Sequence, residues 1–296
     1  MKIKLLGFII INICFLAFSC SQKLHEAMVE SKNVSWFDDY YTIEYIDSST
    51  IAIGEPRYHQ HNYNYLILGK NKAILFDTGP GVRNIKTVVD SLTDLPVVVT
   101  QSHFHYDHIG NHKEFDDAYL ADVQQLKDRE KNGYVKIKTK EHLGFVENIK
   151  KPKFKVDGWW EIGDTINLGD RELILYHIPG HTPESVALYD PESKYLFSGD
   201  FLCPGPNLAA VPGSDITEYL SSTENLLNTI SKQTKLLTAH RDTNSVKFGA
   251  PILDYNDLVD LKIGLRDIID NKKKKEKGFI IKQYKINDRI QIYLTK

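Results

Sequence analysis

Cysteine is scarce in this chain, with three residues in 296, at positions 14, 20 and 203. That excludes a small fold stapled by disulfides, and a chain of this length can bury a core without them. An excess of one charge is lacking too. Lysine and arginine together number 37 against 39 acids, for a net charge near −2. Nothing in that balance points to nucleic acid, and none is expected as a partner. No apolar run is long enough to cross a bilayer as a helix. Glycine and proline, at 18 and 11 residues, are too few for a collagen-like chain. Neither a short internal repeat nor a second domain boundary is visible. What is present, 42% hydrophobic and 26% charged residues, is the composition of a soluble globular protein. The four lysines at 272–275 are a local run and read as a solvated turn.

The first twenty residues stand apart. Lys2 and Lys4 precede an apolar stretch over 5–18 that ends in Ala17-Phe18-Ser19-Cys20. A basic start, a short apolar stretch and then small residues read as a secretory signal over 1–19. A cysteine directly after the small residues resembles a bacterial lipobox, so Cys20 is expected to carry lipid. An ordinary cleaved signal or an uncleaved anchoring helix are the alternatives. The expected product is exported and membrane-anchored, periplasmic or at the cell surface, with residues 20–40 as a tether and 41–296 as one domain. Cys203 is then alone and reads as a buried thiol.

Along that domain, short apolar runs at 64–68 and 73–76 flank Gly69-Lys70-Asn71-Lys72, a hairpin signal. The turn cluster Asp77-Thr78-Gly79-Pro80-Gly81 follows, then helical spacing over 82–92 and a β-branched strand at 96–100. The second half repeats the alternation, with strands at 165–168, 173–178, 186–189 and 195–197. A helix over 216–230 comes next, with Asp215 or Ser214 as its cap. Strand pairs alternating with helices, twice over, predict an α/β fold: two mixed β-sheets face to face with helices outside, an αββα sandwich. Residues 131–160, rich in lysine and aromatics, read as a lid over a site or as a helical insertion. Alternation around Asn287-Asp288 predicts a terminal hairpin over 278–294.

The chemistry lies where the 96–100 strand ends. Ser102-His103-Phe104-His105-Tyr106-Asp107-His108 sets three imidazoles and a carboxylate within six positions. Neutral imidazole and carboxylate are the donors that zinc-like ions take. The alternation of His103 and His105 turns both rings toward one ion, leaving Asp107 and His108 for a neighbouring one. His25, His112 and His142 have no ligand-like partner in sequence. His59 and His61 read as surface residues near the mouth of a site, and His177 as a packed strand end.

This run resembles the His-x-His-x-Asp-His signature of the metallo-β-lactamase superfamily, and its other marks follow in order: Phe76-Asp77-Thr78-Gly79, Pro179-Gly180-His181-Thr182-Pro183, Ser198-Gly199-Asp200 and Ala239-His240. The resemblance covers roughly residues 40–245. It implies that His103, His105 and His181 hold one metal, that Asp107, His108 and His240 hold a second, and that Asp200 bridges the two. Asp77 would orient a ligand histidine through its other ring nitrogen, and Asp107 would act in catalysis. Two close divalent cations, zinc or else iron or manganese, would lower the pKa of a bridging water enough to supply hydroxide at neutral pH. Asp200, together with both histidine-rich halves, resembles the thioesterase, lactonase and phosphodiesterase branches. The apolar stretch 201–208 favours a small-molecule substrate with an ester-like carbonyl: a lactone, thioester or ester. Phosphodiester or β-lactam hydrolysis, or a non-catalytic metal-binding lipoprotein, are the alternatives.

Overall fold

Strand Ala73–Phe76 shows how the layers arise. Side chains along a strand alternate between two faces, so Ile74 and Phe76 enter one apolar cluster while Ala73 and Leu75 enter another. The first cluster takes Leu173, Leu175, Leu188 and Phe197 from the second half of the chain. The other takes Val88 and Val89 from the helix Lys86–Leu92. In the second half, Ala187 and Tyr189 turn outward onto Tyr219 and Leu226 of the helix Ile216–Thr229 and Leu261 and Leu265 of the helix Tyr255–Ile269. Helix, sheet, sheet and helix follow one another, which is the expected αββα sandwich.

The protein is described by a computed structural model over residues 33–242, 245 and 248–295. The expected signal, Cys20 and His25 lie outside the described residues. One sheet has eight strands, running from Val34–Trp36 at one edge through Asn62–Leu68, Ala73–Phe76 and Val97–Thr100 to Gly158–Trp160. The other has six, from Thr165–Asn167 to Ile252–Asp254. The chain crosses from parallel to antiparallel pairing within each, so both are mixed. Among the described residues no helix is long and apolar enough to cross a membrane.

Several boundaries differ from the sequence reading. The helix expected over 82–92 begins at Lys86, where Asn84 Oδ1 accepts from Lys86 N at 2.9 Å, a side-chain turn that competes with earlier helical pairing. The end of the expected tether is part of the fold. Val34–Trp36 pairs with Thr42–Tyr45, Arg57 stacks over Trp36 at 5.0 Å, and Tyr40 donates to buried Glu55 at 2.9 Å. Residues 131–160 are not a helical insertion. They form short strands with one α-helical turn at Thr139–His142 and one 3-10 turn at Gly144–Val146, and Gly158–Trp160 extends the first sheet beside Asp117–Ala121. Asn132-Gly133, both with positive φ, make the tight hairpin turn that such a pair favours. The terminal hairpin forms as expected, Ile281–Lys285 against Ile290–Thr295. Its second strand also pairs in parallel with Gly205–Ala209, a partner that the sequence did not reveal.

Candidate metal centre

Parallel strands end at the same edge of a sheet, and here they carry the site. Ala73–Phe76 and Val97–Thr100 run parallel and deliver Asp77 and the histidine run. Tyr195–Gly199 and Lys235–Thr238 run parallel in the other sheet and deliver Asp200 and His240. His181 follows the strand Glu172–His177. Gly199 lets the two sheets approach closely at this edge: a Cβ there would lie 2.3 Å from Ser102 Cβ. Asp77 adopts φ 66°, which costs a non-glycine residue on the order of 1 kcal/mol. Three donors offset that cost: Ser102 N at 2.6 Å, Ser102 Oγ at 2.9 Å and His108 Nδ1 at 2.9 Å.

Two clusters of donor atoms form, His103, His105, His181 and Asp200 in one and Asp107, His108 and His240 in the other, each within 4.8 Å. The hydrogen bonds behind the rings fix which nitrogen faces inward. His181 Nδ1 donates to Leu208 O at 2.7 Å and His240 Nδ1 to Gln60 O at 3.0 Å. Carbonyl oxygens only accept, so in the neutral form that binds a metal each ring carries its lone pair on Nε2. His108 Nδ1 donates to Asp77, and Ser102, having given its proton to Asp77, accepts from His103 Nδ1 at 2.9 Å. His103 Nε2 and His181 Nε2 then converge on His105 Nδ1, at 2.8 and 3.1 Å. Asp200 faces both clusters. Its Oδ2 lies 3.9 and 3.7 Å from His103 and His181 Nε2, and its Oδ1 lies 3.4 and 3.0 Å from His108 and His240 Nε2. Asp107 Oδ2 is 3.4 and 3.3 Å from the same two rings.

Such convergence of lone pairs and carboxylate oxygens in a buried space needs positive charge between them. Burial, and then the neighbouring His108 and His105 rings, hold His103 well below its ordinary pKa, and burial with His181 takes His105 down to about 3. The first cluster is therefore a cage of neutral imidazoles, as metal ligands must be. In the second, burial opposes charge on His240, but Asp200 and Asp107 outweigh it and raise the ring to about 10. Asp200 Oδ1 is buried with no hydrogen-bond donor. The donor set fits two divalent cations of the zinc, iron or manganese type.

Every sequence-predicted site residue among those described converges here. Ser102, Gln60 and Asn62 were missed. Asn62 Nδ2 reaches Asp107 O at 2.9 Å and Asp107 Oδ2 at 3.3 Å, and nothing in its local sequence signals that role. Of the remaining histidines, His61 is buried rather than on the surface, drawn in by Arg241 Nη2 at 3.2 Å. His59 reaches Glu147 at 3.0 Å. His112 and His142 are core residues, the former stacked on Phe154 at 3.6 Å. His177 donates to Pro183 O, and Cys203 is a free buried thiol. A cleft opens over His105, Asp107, His181 and Asp200. Leu143 and Val146, from the 131–160 segment, wall one part of it, with Leu208, Val211 and Ile281 among its other apolar residues.

Comparison with known proteins is consistent with this geometry. The model of the metallo-beta-lactamase superfamily matches residues 59–239. Bovine acyl-coenzyme A thioesterase MBLAC2 (Bos taurus) is 29% identical over 214 residues, covering 63% of this chain and 74% of that protein. Hydroxyacylglutathione hydrolase GloC of Haemophilus influenzae is 24% identical, covering 58% and 80%. Among solved structures, a metallo-beta-lactamase from Pontibacter korlensis superposes with a TM-score of 0.55 at 17% identity, over 77% of this chain and 99% of that one. That likeness is one of fold.

Proposed function

The chain belongs to the metallo-β-lactamase superfamily of hydrolases, and from that premise we propose that it is a dinuclear metal-dependent hydrolase of acyl thioesters or related ester-like carbonyls. One observation carries the dinuclear part: the two oxygens of Asp200 face two separate histidine clusters. His103, His105 and His181 would hold the first cation, Asp107, His108 and His240 the second, with Asp200 between them. When bound, the pair supplies a strongly acidified water and a Lewis acid for the carbonyl oxygen.

The chain's own residues do the rest. Asp77 fixes His108 directly and His103 through Ser102, so neither ring can turn away or take the wrong tautomer. Asn62 holds Asp107 against the second cluster. Asp107 and Asp200 stay ionised: burial raises their pKa, but the His108 and His240 rings overcome it and hold both well below the ordinary range. Leu143, Val146, Leu208 and Val211 exclude water from one side of the cleft and suit an apolar acyl group. No lysine or arginine lines it among the described residues, which disfavours a nucleic-acid phosphodiester. Relatives with thioester-hydrolase names, the thioesterase and the hydroxyacylglutathione hydrolase, support the same substrate class. The proposal also keeps the protein outside the cytoplasm, held by lipid on Cys20; Cys20→Ser should abolish incorporation of labelled fatty acid.

Elemental analysis of the purified protein, paired with a hydrolase panel, tests the reading. Two transition-metal equivalents per chain and turnover of acyl thioesters are expected. Cleavage of bis(p-nitrophenyl) phosphate with no ester, thioester or lactone hydrolysed would overturn the substrate class.

A further inference from the structure

The lysine run at 272–275 lies in an exposed loop between the helix Tyr255–Ile269 and the strand Ile281–Lys285. Six lysines stand against two acids over residues 270–282. Asp270 pairs with Lys272 at 2.7 Å, and Lys275 donates to Gly278 O at 2.8 Å. Lys273, Lys274 and Lys277 meet no carboxylate among the described residues. Charge alone would leave this a solvated turn. The residues that follow change its character, because Phe279 is 81% exposed and Ile280 46%.

Position adds a second observation. Ile281, the next residue, lines the cleft above the metal centre. Phe145, 49% exposed, lies between Leu143 and Val146, which line the same cleft. The opening therefore has apolar side chains beside two of its walls and a basic loop adjoining one of them. Lysines next to exposed phenylalanine and isoleucine form the combination that lies in a membrane interface. Ammonium groups meet anionic phosphates there while the apolar side chains enter the boundary of the acyl region.

We propose that the 272–280 loop docks the protein onto an anionic phospholipid surface and sets the mouth of the cleft against it. The charge is complementary to such a surface, and the apolar residues extend from the loop to the cleft itself. A basic patch beside exposed apolar side chains attaches a surface to anionic lipid independently of any lipid on the chain's N-terminal segment. Docking is read without turnover, so it stands or falls separately from the hydrolase reading.

The test sediments the full chain with vesicles of phosphatidylcholine alone and of equal parts phosphatidylcholine and phosphatidylglycerol. Two variants accompany it, Lys273→Gln/Lys274→Gln/Lys277→Gln and Phe279→Ser/Ile280→Ser. The N-terminal segment is common to all three proteins and adds the same background. Each lysine near an anionic surface is worth roughly fivefold in partitioning, so the lysine variant should bind anionic vesicles about a hundredfold less. Raised salt should weaken the parent chain in the same way. The apolar variant should lose a smaller part that salt does not change. Circular dichroism should be that of the parent for both, since all five positions are exposed or nearly so. Equal binding of the three proteins to anionic vesicles overturns the proposal. So does unchanged vesicle binding with a raised KM of the lysine variant for a soluble acyl thioester, because the lysines would then serve a dissolved anionic substrate.

Discussion

The two ends of the sandwich both bury charge, and they treat it in opposite ways. At the end away from the cleft, Arg171 Nε donates to Asp190 Oδ2 at 2.7 Å, and its other nitrogens reach Ser49 O and Thr50 Oγ1, both at 2.8 Å. Asp190 Oδ1 takes Glu192 N at 2.9 Å and Ser193 N at 3.0 Å. Both side chains are satisfied, and the guanidinium ties the second sheet to the first. At the other end, ring lone pairs point at one another and Asp200 Oδ1 has no donor. A buried polar cluster with every group partnered serves stability. One left open toward a shared centre is held there by the rest of the fold and waits for a ligand.

Substitutions that move each end separately would break or sharpen that contrast. The largest effect is expected from Asp200→Ala, which removes the carboxylate that, among the described residues, faces both clusters. Activity should fall by about a thousandfold or more, while the metal-free protein melts at the same temperature or higher. A large loss of stability in the metal-free state would erase the distinction between the two ends. Arg171→Met should do the reverse. It leaves Asp190 buried without its cation, a cost of about 3–5 kcal/mol, read as the shift in denaturation midpoint, with kcat unchanged for the folded fraction.

Finer substitutions divide the metal end itself. Asp77 accepts from His108 and, through Ser102, supports His103. Ser102→Ala should therefore weaken only the first cation, and Asp77→Asn both, each by about ten- to hundredfold. Stepwise chelator titration with elemental analysis separates the two, and identical profiles would contradict the relay through Ser102.

The smallest effect concerns Glu184, which is 4% exposed with Oε1 unpartnered. Burial, then the nearby Glu141, raises its pKa from 4.5 to about 7. The unfolded chain gives up this proton first, so stability is full below about pH 4.5, declines as pH rises and levels off above about pH 7. Glu184→Gln should match the parent at about pH 4 and exceed it at about pH 8, by on the order of 2 kcal/mol or less. Parallel stability curves for the two proteins would show that this carboxyl does not titrate in that window.

Much of the centre was legible because its donors sit at strand ends inside short motifs. His103, His105, Asp107 and His108 lie within one run, and a parallel strand pair must bring that run beside Asp77. Asn62 and Gln60 were not legible. They come from a strand and a preceding loop whose local pattern records only the hairpin, and they reach Asp107 and His240 across 45 and 180 positions. Residues 131–160 misled in a different way: their lysines suited a helix, while Asn132-Gly133 carried the decisive turn signal.

The sequence by itself determined the two apolar faces of each strand, the order of the layers and the kinds of donor atom, since these follow from period and composition. Tertiary structure alone decided which nitrogen each of His181 and His240 turns toward rings far from them in the chain, and that the basic loop adjoins the cleft. Those outcomes depend on which carbonyl or carboxylate stands behind each imidazole and on which strand pairs with Ile290–Thr295. Both are contacts between distant segments, which no local pattern of residues records.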